Sequence, residues 1–335
     1  MKANMLLGKY KIDNPICLAP MEDVADRPFR LLCKEMGVDV LYTEFANCEA
    51  VIRNVSREVD KMTVTDAERP MGVQIYGSNV DALERAAAMA EAAGADFVDF
   101  NAGCWVRKIA NRGDGAGLLR DLPRFRAAVA ATQRGTGLPV TVKTRLGWDE
   151  DSIVALDVAR MLEELGVQAL TMHCRTRVQG YTGRADWSWL PRIREVSNIP
   201  LIANGDIATG EDAVACFEAG CAGVMIGRAA MQRPWIFREM KHYLRTGETL
   251  PDPELRDRVE LCIRHLRAHV AFRGTPRGIY SFRRFYGGYL KSARNIAHLR
   301  RDLMAYTDVE QVVDRLRQFV ESYEDEPDEP EQQTP

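Results

Sequence analysis

Eight short apolar runs of strand length recur along the first 227 residues, and this repetition constrains the fold of the 335-residue chain more than any other feature. The runs occupy residues 16–19, 38–43, 71–76, 97–101, 139–144, 169–173, 200–204 and 223–227. Helical periodicity lies between most of them, for example at 80–93, 152–165 and 210–219, and a glycine follows each of these three segments. Because strands that alternate with helices form a parallel sheet, eight units predict a (β/α)8 TIM barrel of the α/β class. An open doubly wound sheet is the alternative, but no G-x-G-x-x-G follows the first run.

The pattern changes after residue 245. Residues 246–253 are rich in turn-forming residues and include two prolines, which is typical of a linker. Beyond them the strand pattern disappears, and helices are predicted at 254–272, 278–291, 294–305 and 308–323. The sequence therefore predicts a barrel domain at 1–245, a small all-α helical domain at 254–324, and a disordered acidic tail at 325–335.

The formal net charge of −3 conceals a strong asymmetry. Residues 254–301 hold 12 Lys and Arg against 3 Asp and Glu, whereas residues 302–335 hold 2 against 11. A basic block of this kind favours a polyanion as partner, although a solvated helical surface balanced by the acidic tail is an equally valid interpretation of the charge. We expect Arg283 and Arg284 to contact RNA in this block.

Four aromatic residues are interleaved with these arginines, and they have two interpretations. They are Tyr280, Phe282, Phe285 and Tyr286. Either the rings stack on RNA bases, or they belong to the core of the helical domain and only the arginines face the RNA.

Several classes of protein are disfavoured by simple patterns. No stretch approaches the roughly 18 consecutive apolar residues of a membrane helix, and the first 15 residues lack the apolar segment of a signal peptide. The eight cysteines are scattered without a C-x-x-C pair, which argues against a disulfide framework and against a zinc site. We therefore expect a cytoplasmic protein with no membrane partner and no metal, and we expect it to be a monomer.

Polar residues follow seven of the eight runs, at the points where barrel strands would end. They are Glu22, Gln74, Asn101 and Cys104, Lys143 and Arg145, His173 and Arg175, Asn204, Gly205 and Asp206, and Gly227 and Arg228. Because the active sites of TIM barrels lie at the carboxyl ends of the strands, these side chains should converge on one mouth.

Two glycine-containing loops at this mouth indicate a phosphate site. Gly205 and Gly227 follow the seventh and eighth runs, which is where TIM barrels commonly bind phosphate, and Arg228 adds a positive charge. Taken singly, each glycine has an ordinary turn as its alternative. Lys143 would either form a Schiff base or hold an electron-rich ring, and His173 would either face the mouth or be a hydrogen-bonded core residue.

Cys104 lies just beyond the fourth run, on a loop that carries the basic residues Arg107, Lys108 and Arg112. A thiol at this place in a barrel is a candidate for catalysis. The alternative is a small buried hydrophobic residue, as most free cysteines are.

Seven segments, in order, resemble the flavin-dependent tRNA-dihydrouridine synthases, and the bacterial B-type subgroup in particular. They read APMEDVADRPFR, VQIYGS, DFNAGCWVRKIANRGDGAGLL, VTVKTRLGW, HCRTRVQGY, IANGDI and VMIGRAAMQRPWIF. The resemblance covers about residues 8–325. It implies an FMN-binding barrel followed by a helical RNA-binding domain, with tRNA as the substrate and NADPH, or NADH, as the electron donor.

The resemblance also implies roles for individual residues. The implied FMN contacts are Pro20, Met21, Glu22, Gln74, Lys143, His173, Asn204, Gly205, Asp206, Gly227 and Arg228. Cys104 would donate a proton to carbon 5 of uracil while reduced flavin delivers hydride to carbon 6. A thiol with an ordinary pKa of about 8.5 is mostly protonated at pH 7 and is able to serve as this acid. Asn101, Arg145 and Arg175 are the candidate contacts of the flipped nucleotide.

Trp105 departs from the family pattern, which usually has proline after the cysteine. Proline would stiffen the loop, whereas tryptophan offers a large surface for stacking. Two other functions therefore stay open: an FMN-dependent oxidoreductase of a free pyrimidine, and an RNA-binding relative without redox activity. The basic helical domain argues against the first, because a small substrate does not require it.

Overall fold

A computed structural model of the chain describes residues 4–325, and within this range the backbone forms eleven strands. They are β1 (Asn4–Leu7), β2 (Tyr10–Asp13), β3 (Ile16–Leu18), β4 (Leu41–Tyr42), β5 (Ala46–Asn47), β6 (Met71–Tyr76), β7 (Phe97–Ala102), β8 (Val140–Arg145), β9 (Ala169–His173), β10 (Leu201–Asn204) and β11 (Gly223–Ile226).

Eight of these strands form a parallel barrel in the order β3-β11-β10-β9-β8-β7-β6-β4, with the short β5 added beside β6. A parallel bridge between Cys17 and Val40 joins the first and last strands of this order. The prediction of a (β/α)8 TIM barrel is therefore confirmed. Each of the eight predicted runs overlaps one barrel strand, because a strand covered on both faces consists of near-continuous apolar sequence.

The antiparallel hairpin β1–β2 was not predicted from the sequence. Its apolar side chains Met5 and Leu7 are buried in one cluster with Phe97, Ala169 and Ile202, which lie at the amino ends of their strands. The hairpin therefore closes the end of the barrel opposite the strand carboxyl ends. Its four-residue strands are half exposed, so they carry little periodic signal.

Eleven helices alternate with or follow these strands within residues 4–250. They are α1 (Arg27–Glu35), α2 (Cys48–Ile52), α3 (Ser56–Lys61), α4 (Val80–Ala92), α5 (Arg107–Ala110), α6 (Leu122–Arg134), α7 (Ala155–Glu164), α8 (Trp189–Val196), α9 (Gly210–Glu218), α10 (Arg228–Gln232) and α11 (Ile236–Thr246), with short 3-10 turns at Asp66–Glu68 and Gly115–Arg120. Helix α7 begins three residues later than predicted, because Ser152 bonds to Asp149 in a turn instead of entering the helix.

The chain divides into two compact units, Met1–Ala230 with Pro234–Leu250, and Met231–Arg233 with Pro251–Pro335. The second unit contains α12 (Leu255–Arg273), α13 (Arg277–Phe282), α14 (Tyr286–Tyr289), α15 (Ile296–Ala305) and α16 (Val309–Asp325). The single helix predicted at 278–291 is wrong, because the N–H of Phe285 bonds to the carbonyl of Phe282 in a tight turn that separates α13 from α14.

The core of the second unit is aromatic. Phe282, Phe285 and Tyr286 are fully buried, whereas Tyr280 is 47% exposed. Phe282 and Phe285 pack against His265 of α12, and Tyr286 packs against Phe282. Three of the four aromatic residues interleaved with the arginines are therefore core residues. Apart from Asp325, the predicted disordered tail lies outside the described residues.

No helix within residues 4–325 is long and apolar enough to cross a membrane. All eight cysteines are free and buried.

Candidate active site

The inward side chains of β6, β7 and β8 form a buried polar network. Gln74 donates from Nε2 to Asp99 at 2.5 Å and accepts from the Asn101 side chain at 2.8 Å. Thr141 donates to the other Asp99 oxygen. Asp99 is not among the residues predicted from the sequence, because it lies inside an apolar run, although the alternation of a strand places it on the same face as Asn101.

Asp99 is fully buried, and the pKa of its carboxyl group differs from the ordinary value. Burial raises its pKa to about 6, against the opposing effects of the hydrogen bonds from Thr141 and Gln74 and of the nearby Lys143 charge. The carboxyl is therefore mostly ionised at neutral pH and titrates in the mildly acidic range.

Lys143 extends from β8 toward the end of β10. Its Nζ donates to Asn204 Oδ1 at 2.9 Å, and the Asn204 amide in turn donates to the carbonyl of Met225 at 2.8 Å. Loss of hydration, together with the neighbouring Arg145 charge, lowers the pKa of Lys143 to about 7. The structure thus brings Lys143 and Asn204 together, as predicted. The Lys143 side chain loses its proton near neutral pH.

His173 lies at the end of β9 and is buried. Burial lowers the pKa of His173 well below its usual value, and the charges of Arg145, Lys143, Arg175 and Arg228 lower it further. The imidazole is therefore neutral at pH 7, and the mouth around it has a positive electrostatic potential.

Asp206 joins two arginines at the loops after β9 and β10. Its carboxylate pairs with Arg228 at 3.0 Å and, on its other oxygen, with Arg175. Burial acts to raise the pKa of Asp206. The hydrogen bonds from Arg175 and from the N–H of Ala185, together with the charges of Arg175 and Arg228, outweigh burial and lower the pKa below its usual value. The negative charge of Asp206 is thus paired with protein cations, and its predicted contact with FMN stays a prediction.

Arg145 and Arg175, the predicted contacts of the flipped nucleotide, have guanidinium groups that are buried and bound by the protein. Arg145 donates to the carbonyls of Gly103, Thr176 and Gly180 at 2.9–3.0 Å. Arg175 donates to the carbonyls of Thr182 and Gly183 as well as to Asp206. These residues shape the loops at the mouth and leave few donors for a nucleotide.

The Cys104 loop is held by the Asn101 side chain, whose Oδ1 accepts from the backbone N–H of Gly103 and of Cys104, each at 3.0 Å. The carbonyl of Cys104 accepts from the N–H of Ala116 at 3.1 Å. Gly115 lies against this segment with a φ of 54°, and a Cβ there would meet Cys104 Cβ at 2.9 Å. A glycine is needed at this position for both reasons.

The Cys104 side chain is 9% exposed. Burial raises the pKa of the thiol above its ordinary value, with the N–H of Val106 and the Arg145 charge acting in the opposite direction. The thiol is therefore protonated at neutral pH, which is the state that an acid requires.

Trp105 is 37% exposed and packs on the loop that follows β9. Its ring meets Tyr181 edge to face at 5.4 Å between centroids, and a Cβ on Gly180 would lie 3.1 Å from it. The Arg228 guanidinium lies 4.7 Å from the Tyr181 ring centroid. The packing of the Trp105 side chain thus restrains the Cys104 loop, which a proline at position 105 would restrain through its backbone.

The loop after β3 carries Pro20, Met21 and Glu22. The Glu22 carboxylate is bound by Lys61 at 2.8 Å and lies 3.3 Å from Arg57. Within the part of the chain that the structure describes, the oxygens of Glu22, Asp23 and Glu44 lie within 4.8 Å of one another, close enough for a shared ion. Protein donors already bind Glu22, and the N–H of Asp23 donates to Glu44 at 2.6 Å.

The mouth has the donor set that flavin mononucleotide requires. Lys143 and neutral His173 offer hydrogen-bonding groups for a ring system, and Arg228 offers a half-exposed cation for a phosphate. Gly205 has a φ of 114°, and a Cβ there would meet His173 Cδ2 at 3.0 Å, so only glycine leaves this ring accessible. The residues present fit the cofactor, with Gly227 on the neighbouring loop.

The predicted RNA contacts of the second unit differ in exposure. Arg284 is exposed and donates to the carbonyl of Ser281 at 3.1 Å. Arg283 is half-buried, lies 4.6 Å from the Tyr280 ring centroid and donates to the carbonyl of Tyr306. Arg284 and the exposed face of Tyr280 are therefore the more accessible groups of this segment.

Comparison with known proteins places these features in context. A model of the dihydrouridine synthase (Dus) family matches residues 17–324. The tRNA-dihydrouridine synthase B of Pseudomonas putida is 38% identical over 315 residues, which cover 93% of each chain. That of Vibrio cholerae is 33% identical and covers 95% of this chain and 99% of its own. A probable tRNA-dihydrouridine synthase 1 of Synechocystis is 34% identical, with 94% and 88% covered.

Solved structures agree with this chain at the level of the fold. A morphinone reductase mutant in complex with tetrahydroNAD has a TM-score of 0.55 at 14% identity, covering 75% of this chain and 92% of that chain. The old yellow enzyme homologue from Zymomonas mobilis has a TM-score of 0.52 at 15% identity, covering 76% and 94%. At these identities the likeness concerns the barrel alone.

Proposed function

The chain belongs to the dihydrouridine synthase family and is an enzyme of that family, and we propose that it reduces the bond between carbons 5 and 6 of uridines in tRNA. FMN is its proposed cofactor, and NADPH or NADH is the proposed electron donor. The observation that carries this proposal is Cys104: a protonated thiol on a loop that Asn101 orders at the mouth of a barrel lined with Lys143 and neutral His173.

Each residue of the mouth has a role in this reaction. Bound and reduced FMN would supply hydride to carbon 6 of the base. Lys143 and Asn204 would orient the ring system, and Arg228 would hold the phosphate. Cys104 would keep its proton until carbon 5 develops negative charge, because burial disfavours a free thiolate.

A base in structured RNA has to leave its stack before it reaches such a mouth, which costs a few kcal/mol. The aromatic edge formed by Trp105 and Tyr181 is partly exposed and offers a surface that a displaced base can contact. In the second unit, Arg284 and Arg283 would bind phosphates of the RNA body. The free cysteines suit the reducing cytoplasm, where we place the reaction.

The direct test is an assay of the purified, flavin-loaded protein with NADPH and unmodified tRNA, followed by mass spectrometry of the digested nucleosides. We expect uridine to gain two hydrogens at defined tRNA positions, with no conversion when NADPH is omitted. Free uridine serves as the parallel substrate. Equal conversion of free uridine would favour a small-pyrimidine oxidoreductase, and flavin that NADPH reduces but tRNA never reoxidises would contradict the proposal.

A further inference from the structure

A continuous chain of side-chain hydrogen bonds runs from the barrel interior to the backbone of the Cys104 loop. Asp99 accepts from Gln74 Nε2 at 2.5 Å, and Gln74 Oε1 accepts from Asn101 Nδ2 at 2.8 Å. Asn101 Oδ1 then accepts from the N–H groups of Gly103 and Cys104 at 3.0 Å. Three consecutive links thus connect a buried carboxylate to the residue that carries the thiol.

Chemistry fixes the direction of this chain at both ends. An ionised carboxylate only accepts hydrogen bonds, so Asp99 turns the NH2 group of Gln74 toward itself. The Gln74 carbonyl oxygen then faces Asn101 and selects its NH2 group. The Asn101 oxygen is left pointing at the two backbone N–H groups, which are donors only. Each amide in the chain has one orientation that satisfies both of its neighbours, and this orientation requires an acceptor at position 99 as well as the donors of the loop.

We propose that Asp99 is a positioning residue for Cys104, which it orients through Gln74 and Asn101 without touching it. Its catalytic importance rests on the proposed role of Cys104, whereas its effect on the loop does not. Thr141 also donates to Asp99 but belongs to no link of this chain. Thr141 therefore provides a matched control for the loss of one buried hydrogen bond at the same carboxylate.

Substitutions at Asp99 and Gln74 distinguish an effect of hydrogen-bond direction along the chain from the simple loss of a buried hydrogen bond. In Asp99→Asn, the side-chain oxygen that stays on the Thr141 hydroxyl leaves the new NH2 group facing Gln74 Nε2. The Gln74 amide then has to turn over and present its NH2 group to Asn101. Two NH2 groups would then face each other, and the Asn101 oxygen would leave the loop. In the double variant Asp99→Asn with Gln74→Glu, the carboxylate moves one residue along the chain. Glu at 74 accepts from both neighbours, so the orientation of Asn101 is restored.

The measurement is the rate at which iodoacetamide alkylates Cys104 in the full-length, flavin-loaded protein, read by mass spectrometry of the peptide that contains it. The other seven cysteines are at most 1% exposed and report any general unfolding. Asp99→Asn should raise the rate about tenfold, the effect of losing about one buried hydrogen bond, and the double variant should return it to within about twofold of the wild type. Thr141→Val should stay near the wild-type rate.

The proposal is overturned if Asp99→Asn alkylates at the wild-type rate, if Thr141→Val matches it, or if the double variant does not recover. If Asp99→Asn unfolds, iodoacetamide will label all of its cysteines, and the double variant then decides the question alone. The proposal requires that the double variant folds and protects Cys104 as the wild type does. A failure of the proposed function would look different, because Cys104→Ala would then be reoxidised by tRNA at the normal rate while the alkylation results stood.

Discussion

Replacing Arg228 with alanine probes the phosphate end of the proposed FMN site. The guanidinium is 47% exposed, pairs with Asp206 at 3.0 Å and lies over the Tyr181 ring. A hydrogen bond to a charged group contributes about 1.5–3 kcal/mol. Solvent exposure and competition from Asp206 favour the lower end of this range, so we expect a loss of about 1.5 kcal/mol, or about a tenfold weaker affinity for FMN.

The assay is a titration of flavin fluorescence at protein concentrations near the dissociation constant. Arg192→Ala is the matched control, because Arg192 lies on α8 and its guanidinium stacks 3.7 Å from the Trp189 ring centroid, as Arg228 stacks on Tyr181. The control should bind FMN like the wild type. A loss of less than about twofold in Arg228→Ala, or an equal loss in Arg192→Ala, would refute the phosphate assignment.

Three further predictions concern the RNA, the flavin ring and the loop. Arg283→Ala with Arg284→Ala should reduce the salt dependence of tRNA binding by a slope of about one for each lost phosphate contact, while NADPH still reduces the flavin; an unchanged slope would place the RNA elsewhere. FMN binding should weaken as pH rises through about 7, where Lys143 loses its proton, and Lys143→Gln should lack this step in parallel titrations; a persisting step would assign it to another group. Trp105→Pro, which restores the usual family residue, should leave reoxidation by tRNA in place, and a complete loss would show that the tryptophan is required.

The barrel could be predicted because the sequence shows both the apolar runs of its strands and the periodicity of its helices. Buried parallel strands give apolar runs, and the helices between them end at glycines. The run at 38–43 yields only the short strand Leu41–Tyr42, because just these two residues pair with β6 while Val40 bridges to Cys17. Hairpin β1–β2 escaped prediction because packing of Met5 and Leu7, rather than a local pattern, stabilises it.

The residues that meet at the mouth could be predicted from the sequence, but their hydrogen-bond partners could not. Lys143 and Asn204 lie 61 positions apart, and only the rule that strand carboxyl ends converge placed them together. Most hydrogen-bond partners of Arg145 and Arg175 could not be predicted, because they are backbone carbonyls of neighbouring loops, which no side-chain pattern reveals. Asp99 stayed hidden because a charged residue within an apolar run has no meaning until its neighbours on adjacent strands are known.

The most direct test of the account is the reoxidation of NADPH-reduced enzyme by unmodified tRNA, followed by stopped flow without oxygen in wild type and in Cys104→Ala. The variant should keep its flavin and accept electrons from NADPH, because Cys104 bonds to none of the residues assigned to the cofactor except through Asn101. Its reoxidation should slow by about 10²–10⁴, the usual loss when a general acid is removed, and Cys104→Ser should recover little. Reoxidation of Cys104→Ala at the wild-type rate would show that Cys104 is not the proton donor.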